Sequence, residues 1–217
     1  MTHLSRPVAT RVCVIRHGET DWNAERRIQG HTDVPLNATG RRQALAMAYS
    51  AAHQRFDALY SSDLARAVET ARALAEREDQ AVTTLSELRE RHFGCFQGLT
   101  VSEAALRHPG AHAAYLARDP RIDFGDGESL EAFAGRANAV LDRLARRHIT
   151  QTIAVVTHSG VLDVLYRRAT GRALSAPRDF EIPNCAQNWF GFDGHAWHVE
   201  AWADRHYLGT VLTGAPE

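Results

Sequence analysis

Two apolar runs constrain this chain more than any other feature: Val12, Cys13, Val14 and Ile15, and far downstream Ile153, Ala154, Val155 and Val156. A strand with one wet face alternates polar and apolar residues, so runs without alternation suit parallel strands covered on both faces. A weaker run, "DALYSS" at 57–62, is a third strand candidate. Helical patterns follow. Leu64, Ala67, Val68, Ala71, Leu74 and Ala75 share one helix face, which Ser62 or Asp63 is placed to cap. Leu130, Phe133, Ala137, Val140, Leu141 and Leu144 form the apolar stripe of a longer helix starting at Ser129. Strands alternating with helices predict an α/β fold with a largely parallel sheet.

At 217 residues the chain suits one domain, 1–217, and no repeat or low-complexity linker divides it. Short helical stretches broken by Pro and Gly between about 99 and 128 are expected to form a cap over the sheet edge, and "TGAPE" a loose tail. A net charge of -1 gives no global attraction to nucleic acid or acidic lipid. The chain has no Lys, which excludes Schiff-base chemistry and a Walker lysine. Cys13, Cys95 and Cys185 lack any C-x-x-C spacing, so neither a disulfide framework nor a zinc ribbon is expected, and a reducing cytoplasm fits best. The N-terminal stretch has no apolar signal core, and nothing approaches the roughly 20 apolar residues of a membrane helix. The expectation is a soluble, unsecreted protein with neither a membrane nor a nucleic-acid partner.

Ligands of open α/β sheets sit outside the carboxyl ends of the strands. The first run ends in Arg16 and His17, the second in Ser61 and Ser62 with Arg66 one turn into the next helix, and the third in Thr157, His158 and Ser159. Two arginines and two histidines would converge beside a helix N-terminus, a composition that suits phosphate.

These residues also carry a resemblance. "RHGETDWNAERRIQGHTDVPLNATGRRQA" is similar to the opening of the histidine phosphatase superfamily, which includes the cofactor-dependent phosphoglycerate mutases. The likeness continues in order through "LYSSDLARAVETA", "LRERHFGCFQGL", "GDGESLEAF" and "VVTHSGV". It implies a three-layer sandwich whose mostly parallel central sheet is flanked by helices. It also implies that His17 is the nucleophile that becomes phosphohistidine, with Arg16, Arg66 and His158 around the phosphoryl group. Asn23 resembles a loop donor to the same oxygens, Glu90 the acid/base serving the leaving group, and Gln29 and Gly30 the loop that approaches substrate. Ser159 follows His158 into the phosphate-binding helix terminus.

The chemistry of such a set is coherent. A phosphomonoester dianion must be neutralised before a nucleophile approaches, and the forks of Arg16 and Arg66 can do so without a metal. The same guanidiniums push His17 toward the neutral imidazole that attack requires. Glu90 would protonate the departing alkoxide, an effect typically worth ~10²- to 10⁴-fold, and then deprotonate the hydrolytic water. His158, if protonated, would add donor charge. Plainer readings exist: Glu90 as a partner of Arg89 or Arg91, Asn23 as a turn cap, and His92 as a structural residue. Cys95 reads as a small core residue, and His31, His108, His112, His148, His195 and His198 as surface or packing residues without metal-ligand spacing.

Isomerisation and hydrolysis share this pocket. Phosphoglycerate mutases of the superfamily carry a Lys soon after "QGL", then an insertion with paired arginines. Here "QGL" runs into Thr100, Val101 and Ser102, and "AAYLARDP" offers Arg118 alone. "GDGESLEAF" resembles the shorter phosphatase branch, whereas "LRERHFGCFQGL" is closer to the mutase version. The expected activity is hydrolysis of small phosphomonoesters, with no metal and no cofactor. Phosphoglycerate mutation is the alternative, and only that alternative calls for 2,3-bisphosphoglycerate. A silent phospho-ligand binding protein is a third reading. Leu106, Tyr115 and Leu116, with Arg107, Arg118 and Arg121, leave the substrate open, as the oligomeric state is, a homodimer included.

Overall fold

The computed structural model describes residues 10–51 and 54–208; the expected loose tail lies outside them. The two apolar runs are strands β1 (Thr10–Arg16) and β4 (Thr152–Thr157), which pair in parallel at the centre of a six-stranded sheet. The weaker run is β2 (Ala58–Ser61), parallel to β4 on its other side, and β3 (Val82–Thr84) ends that flank. Beyond β1 lie β5 (Gln187–Phe192), antiparallel to β1, and β6 (Trp197–Asp204), antiparallel to β5, giving the order β3-β2-β4-β1-β5-β6. The parallel character expected from the sequence thus holds for four strands and ends at the β1–β5 pairing.

Helices α1 (Asp21–Ala24), α2 (Ala38–Ser50) and α3 (Ala65–Glu78) precede β3, and α4 (Val101–Arg107), α5 (Pro109–Leu116), α6 (Leu130–Arg147) and α7 (Ser159–Thr170) follow it. On one sheet face Cys13, Ile15, Ala154 and Val156 pack with Met47, Ala71 and Leu74 from α2 and α3. On the other, Val12, Val14, Ile153 and Val155 pack with Phe133, Val140, Leu141 and Leu162 from α6 and α7. Successive residues of one strand serve opposite cores, which is why the runs show no polar alternation. No helix among the described residues is long and apolar enough to cross a membrane.

Ser129 caps α6 as expected, its hydroxyl accepting from Ala132 N at 3.0 Å. Helix α3 begins otherwise. Leu64 is its N-cap without a side-chain bond, and the free Ala65 N–H goes to Asp33 Oδ1 at 2.7 Å, so a distant loop does the work expected of Ser62 or Asp63. Helices α4 and α5 enclose a small core of Phe96, Leu99, Ala104 and Phe124. From the 99–128 stretch, Tyr115, Leu116 and Ile122 line a cavity together with Arg16 at the end of β1 and Ser159 and Gly160 just after β4. Cys95 is exposed rather than packed in a core, because it sits on the outer side of the 3-10 turn Gly94–Phe96 while Phe96 turns inward.

Candidate active site

The parallel register Arg16↔Thr157 brings the residues that follow β1 and β4 side by side, and His17 N donates to Thr157 O at 2.9 Å. The His17 and His158 ring centroids lie 5.2 Å apart, both rings buried. His17 Nδ1 is 2.7 Å from Gly18 O, and a carbonyl only accepts, so Nδ1 carries the proton and Nε2 keeps a lone pair. The loop behind it is tied down: Gly18 N donates to Thr70 Oγ1, Thr70 Oγ1 to Arg66 O, and Asn184 Nδ2 to His17 O. Burial, then the guanidiniums of Arg66 and Arg16, hold the His17 pKa well below the ordinary histidine value.

His158 Nε2 lies 2.9 Å from Ser62 Oγ. That oxygen also accepts from Leu64 N, and His158 Nδ1 is buried without a partner. Burial first, then the guanidiniums of Arg66 and Arg16, holds the His158 pKa well below the ordinary histidine value, so the ring rests neutral. The cations that suit a phosphate also oppose another positive charge.

Arg66 reaches from α3 to Gly30 O (2.8 Å) and Thr32 O (2.9 Å), and Arg16 Nη1 donates to Ile182 O at 2.7 Å. Burial lowers both guanidiniums to about 10, still cationic at neutral pH. The Nε atoms of both are buried and unpartnered, as His158 Nδ1 is. Two buried guanidinium donors and a buried imidazole nitrogen thus lack partners, the pattern of an anion site. Gly30, at φ +54°, permits the loop to turn there: a Cβ would stand 2.1 Å from Gln97 Oε1, which accepts from His31 N. Gln29 is buried beside it.

Asn23 caps a turn, the plainer of its two readings. Its Oδ1 closes a capping box with Thr20 at the start of α1, while the residue also lines the cavity. Glu90 accepts from Arg91 N (2.9 Å), Gly160 N (3.1 Å) and Ser159 Oγ (3.1 Å). Ser159 and Gly160 open α7, so a helix N-terminus faces this carboxylate. Of the carboxyl side chains around the cavity, Asp119 pairs with Arg121 and Asp163 with Arg118 and Arg167; Glu90 has no ion pair among the described residues. Arg89 instead forks onto Asp63, and Arg91 is held by Glu128 O and Ile122 O.

The cavity of about 390 Å³ gathers Arg16, Asn23, Gln29, Gly30, Arg66, Glu90 and Ser159 on its wall, while His17 and His158 lie beyond the lining side chains. Of the cap residues singled out, Tyr115, Leu116 and Arg118 reach it; Leu106 is 85% exposed, and Arg107 and Arg121 do not line it. Sequence reasoning missed Asn184, Thr70, Gly160 and Arg178, and did not see that His31 holds Glu90 O through Nε2 at 2.8 Å. Their roles depend on contacts across 50 or more residues, for which a linear pattern leaves no trace, although Gly160 stands inside the "THSGV" block. Among the described residues no cluster of His, Cys, Asp or Glu could hold a metal ion.

The buried neutral histidines make folding pH-dependent. Unfolded histidine titrates near 6.5 and the folded rings well below it, so the unfolded state binds more protons as pH falls. Their contribution is complete above pH ~6.5 and is lost below it, at about 1.4 kcal/mol per pH unit for each ring. Urea unfolding between pH 7.5 and 5.5 is expected to show a steeper loss in the wild type than in the double variant His17→Asn, His158→Asn. Equal slopes would mean that these rings charge as freely in the folded protein as in the unfolded chain.

Comparison with known proteins agrees with this geometry. A profile of the histidine phosphatase superfamily (branch 1) matches residues 12–205. The chain is 43% identical over 201 residues to phosphoglycerate mutase-like protein 4 of Arabidopsis thaliana, covering 91% of this chain and 86% of the relative. It is 37% identical over 205 residues to the metal-independent phosphoserine phosphatase of the same plant, covering 93% and 84%. Among solved structures, the phosphoserine phosphatase of Entamoeba histolytica in complex with 3-phosphoglyceric acid superposes with a TM-score of 0.82 at 27% identity, over 92% of this chain and 99% of that one. With its profile matched from the first strand to the last, this chain is a member of branch 1 of the histidine phosphatase superfamily.

Proposed function

We propose that this protein hydrolyses small phosphomonoesters through a phosphohistidine on His17. The observation that carries the reading is the pair of buried unpartnered donors, Arg16 Nε and Arg66 Nε, with His158 Nδ1 also unpartnered, beside a neutral imidazole whose Nδ1–H is committed to Gly18 O. The phosphoryl oxygens take those donors, with Asn23, Gln29 and Ser159 completing the cradle around Gly30. His17 Nε2 attacks phosphorus, the P–O ester bond breaks, and Glu90 gives its proton to the leaving oxygen. Glu90 then takes a proton from a water that attacks the P–N bond, releasing inorganic phosphate and restoring the lone pair on Nε2.

The 99–128 segment serves as a cap of the single domain, confining the organic part of the substrate. Neither a metal nor a cofactor has a step in this mechanism, which accords with the metal-independent phosphatase among the relatives. A cytoplasmic location belongs to the same proposal and is supported by free Cys13, Cys95 and Cys185.

Phosphorus NMR with 3-phosphoglycerate, with and without 2,3-bisphosphoglycerate and in the presence of EDTA, tests this reading. Inorganic phosphate should accumulate without any need for 2,3-bisphosphoglycerate, undiminished by EDTA, and without 2-phosphoglycerate. Fast isomerisation with little free phosphate would make the protein a mutase, and inhibition by EDTA would overturn the metal-free mechanism.

A further inference from the structure

The outer half of the cavity is charged in a way that hydrolysis of the phosphate group does not require. Among the charged side chains that line it, Arg27 pairs with Glu25 and Glu103, Arg91 is held by two carbonyls, and Arg118 and Asp119 are in ion pairs. Arg178 makes no hydrogen bond or ion pair among the described residues, yet it lines the same space as Arg16 and is near enough for its charge to oppose protonation of that guanidinium. A second excess of positive charge lies alongside: Asp163 Oδ2 accepts from both Arg118 Nη2 (2.9 Å) and Arg167 Nε (3.0 Å), two cations on one carboxylate.

The loop carrying Arg178 is built into the site. On its N-terminal side Leu174 O accepts from Arg118 Nε, and Arg172 pairs with Asp179. Phe180 packs on Tyr166 and Trp202. On its C-terminal side Ile182 O holds Arg16, Asn184 holds His17 O, and Cys185 N donates to Arg16 O at 2.9 Å. Arg178 therefore stands on a segment whose position is fixed by the phosphate-binding residues themselves.

We propose that Arg178 recognises a second anionic group, a carboxylate, at the end of the substrate remote from the scissile phosphate. This rests on the phosphatase reading above and assigns its substrate class: small phosphorylated organic acids. A planar fork matches a carboxylate two oxygens at a time, and the lining carboxylates Asp119 and Asp163 are already paired with arginines. Tyr115, Leu116 and Ile122 pack the carbon skeleton between the two anions. Arg178 keeps substantial exposure, so water screens the pair and the discrimination is modest, about fivefold in affinity.

3-Phosphoglycerate and glycerol 3-phosphate form a suitable probe pair, because a carboxylate replaces a hydroxymethyl group at the far end. Calorimetric affinities measured in a His17→Ala background, where no turnover intervenes, should favour 3-phosphoglycerate by about fivefold, less at high salt. The ratio should collapse to about one in Arg178→Gln and be partly retained in Arg178→Lys. Equal affinities without the Arg178 substitution, or a ratio unchanged by Arg178→Gln, overturns the assignment. Failure of the otherwise unaltered enzyme to hydrolyse either ester, with the ratio still dependent on Arg178, would overturn the phosphatase reading and leave the carboxylate subsite standing.

Discussion

Replacing His17 by alanine should lower kcat on every phosphomonoester by roughly 10⁴-fold or more, the scale seen when a covalent nucleophile is removed. Nothing else in the site can substitute for it. His158, the other imidazole nearby, is fully buried and has its Nε2 engaged with Ser62 Oγ. Inorganic phosphate should still bind to His17→Ala, since Arg16 and Arg66 keep their carbonyl anchors at Ile182, Gly30 and Thr32. Intact-mass analysis after alkaline quenching should detect phosphorylated protein in the wild type and none in the variant. Covalent phosphate persisting in His17→Ala, or a rate loss below tenfold, would remove His17 from the nucleophile's role.

The second large effect is expected from a residue without chemistry of its own. A methyl group on Gly160 would stand 2.1 Å from Glu90 Oε1 and 3.0 Å from the Phe133 ring. Phe133 is locked in the core, so the Glu90 side chain must swing away, losing the Gly160 N–H and its aim at the leaving oxygen. Gly160→Ala should therefore resemble Glu90→Gln: a loss of ~10²- to 10⁴-fold on alkyl phosphates and a much smaller one on p-nitrophenyl phosphate, whose phenolate needs little help to depart. The double variant should be no worse than either single one, because both remove the same function. Equal losses on both ester types in Glu90→Gln would count against Glu90 as the acid. A normal rate in Gly160→Ala would mean that the carboxylate can act from another position.

What could be read in advance followed from chemistry confined to short stretches. The runs at 12–15 and 153–156 are apolar on both sides because Val12 and Val14 serve one core while Cys13 and Ile15 serve the other. The turn from apolar to Arg16-His17 and Thr157-His158 marks carboxyl ends of strands, where parallel sheets hold their ligands. By contrast, β5 and β6 left a mixed pattern, "QNWFGF" and "WHVEAWAD", in which aromatic residues pack against α6 and α7 without a simple period. The α3 cap was misread for a similar reason: Asp33 takes the Ala65 N–H while Ser62 Oγ serves Leu64 N and Asp63 serves Arg89, and local sequence does not encode those approaches.

The sequence by itself determined the α/β class, the parallel centre of the sheet and the residue types that face a phosphate, since periodicity and strand-end composition are local consequences of burial and charge. Tertiary structure alone decided protonation and aim. His158 is neutral because the folded sheet buries it and brings the guanidiniums of Arg66 from α3 and Arg16 from β1 close to it. Glu90 is directed by the first turn of α7, and Arg16 and His17 are clamped by a loop more than 160 residues downstream. Electric fields and hydrogen-bond geometry depend on distances through space, and those are set only once the sheet has brought its strand ends together.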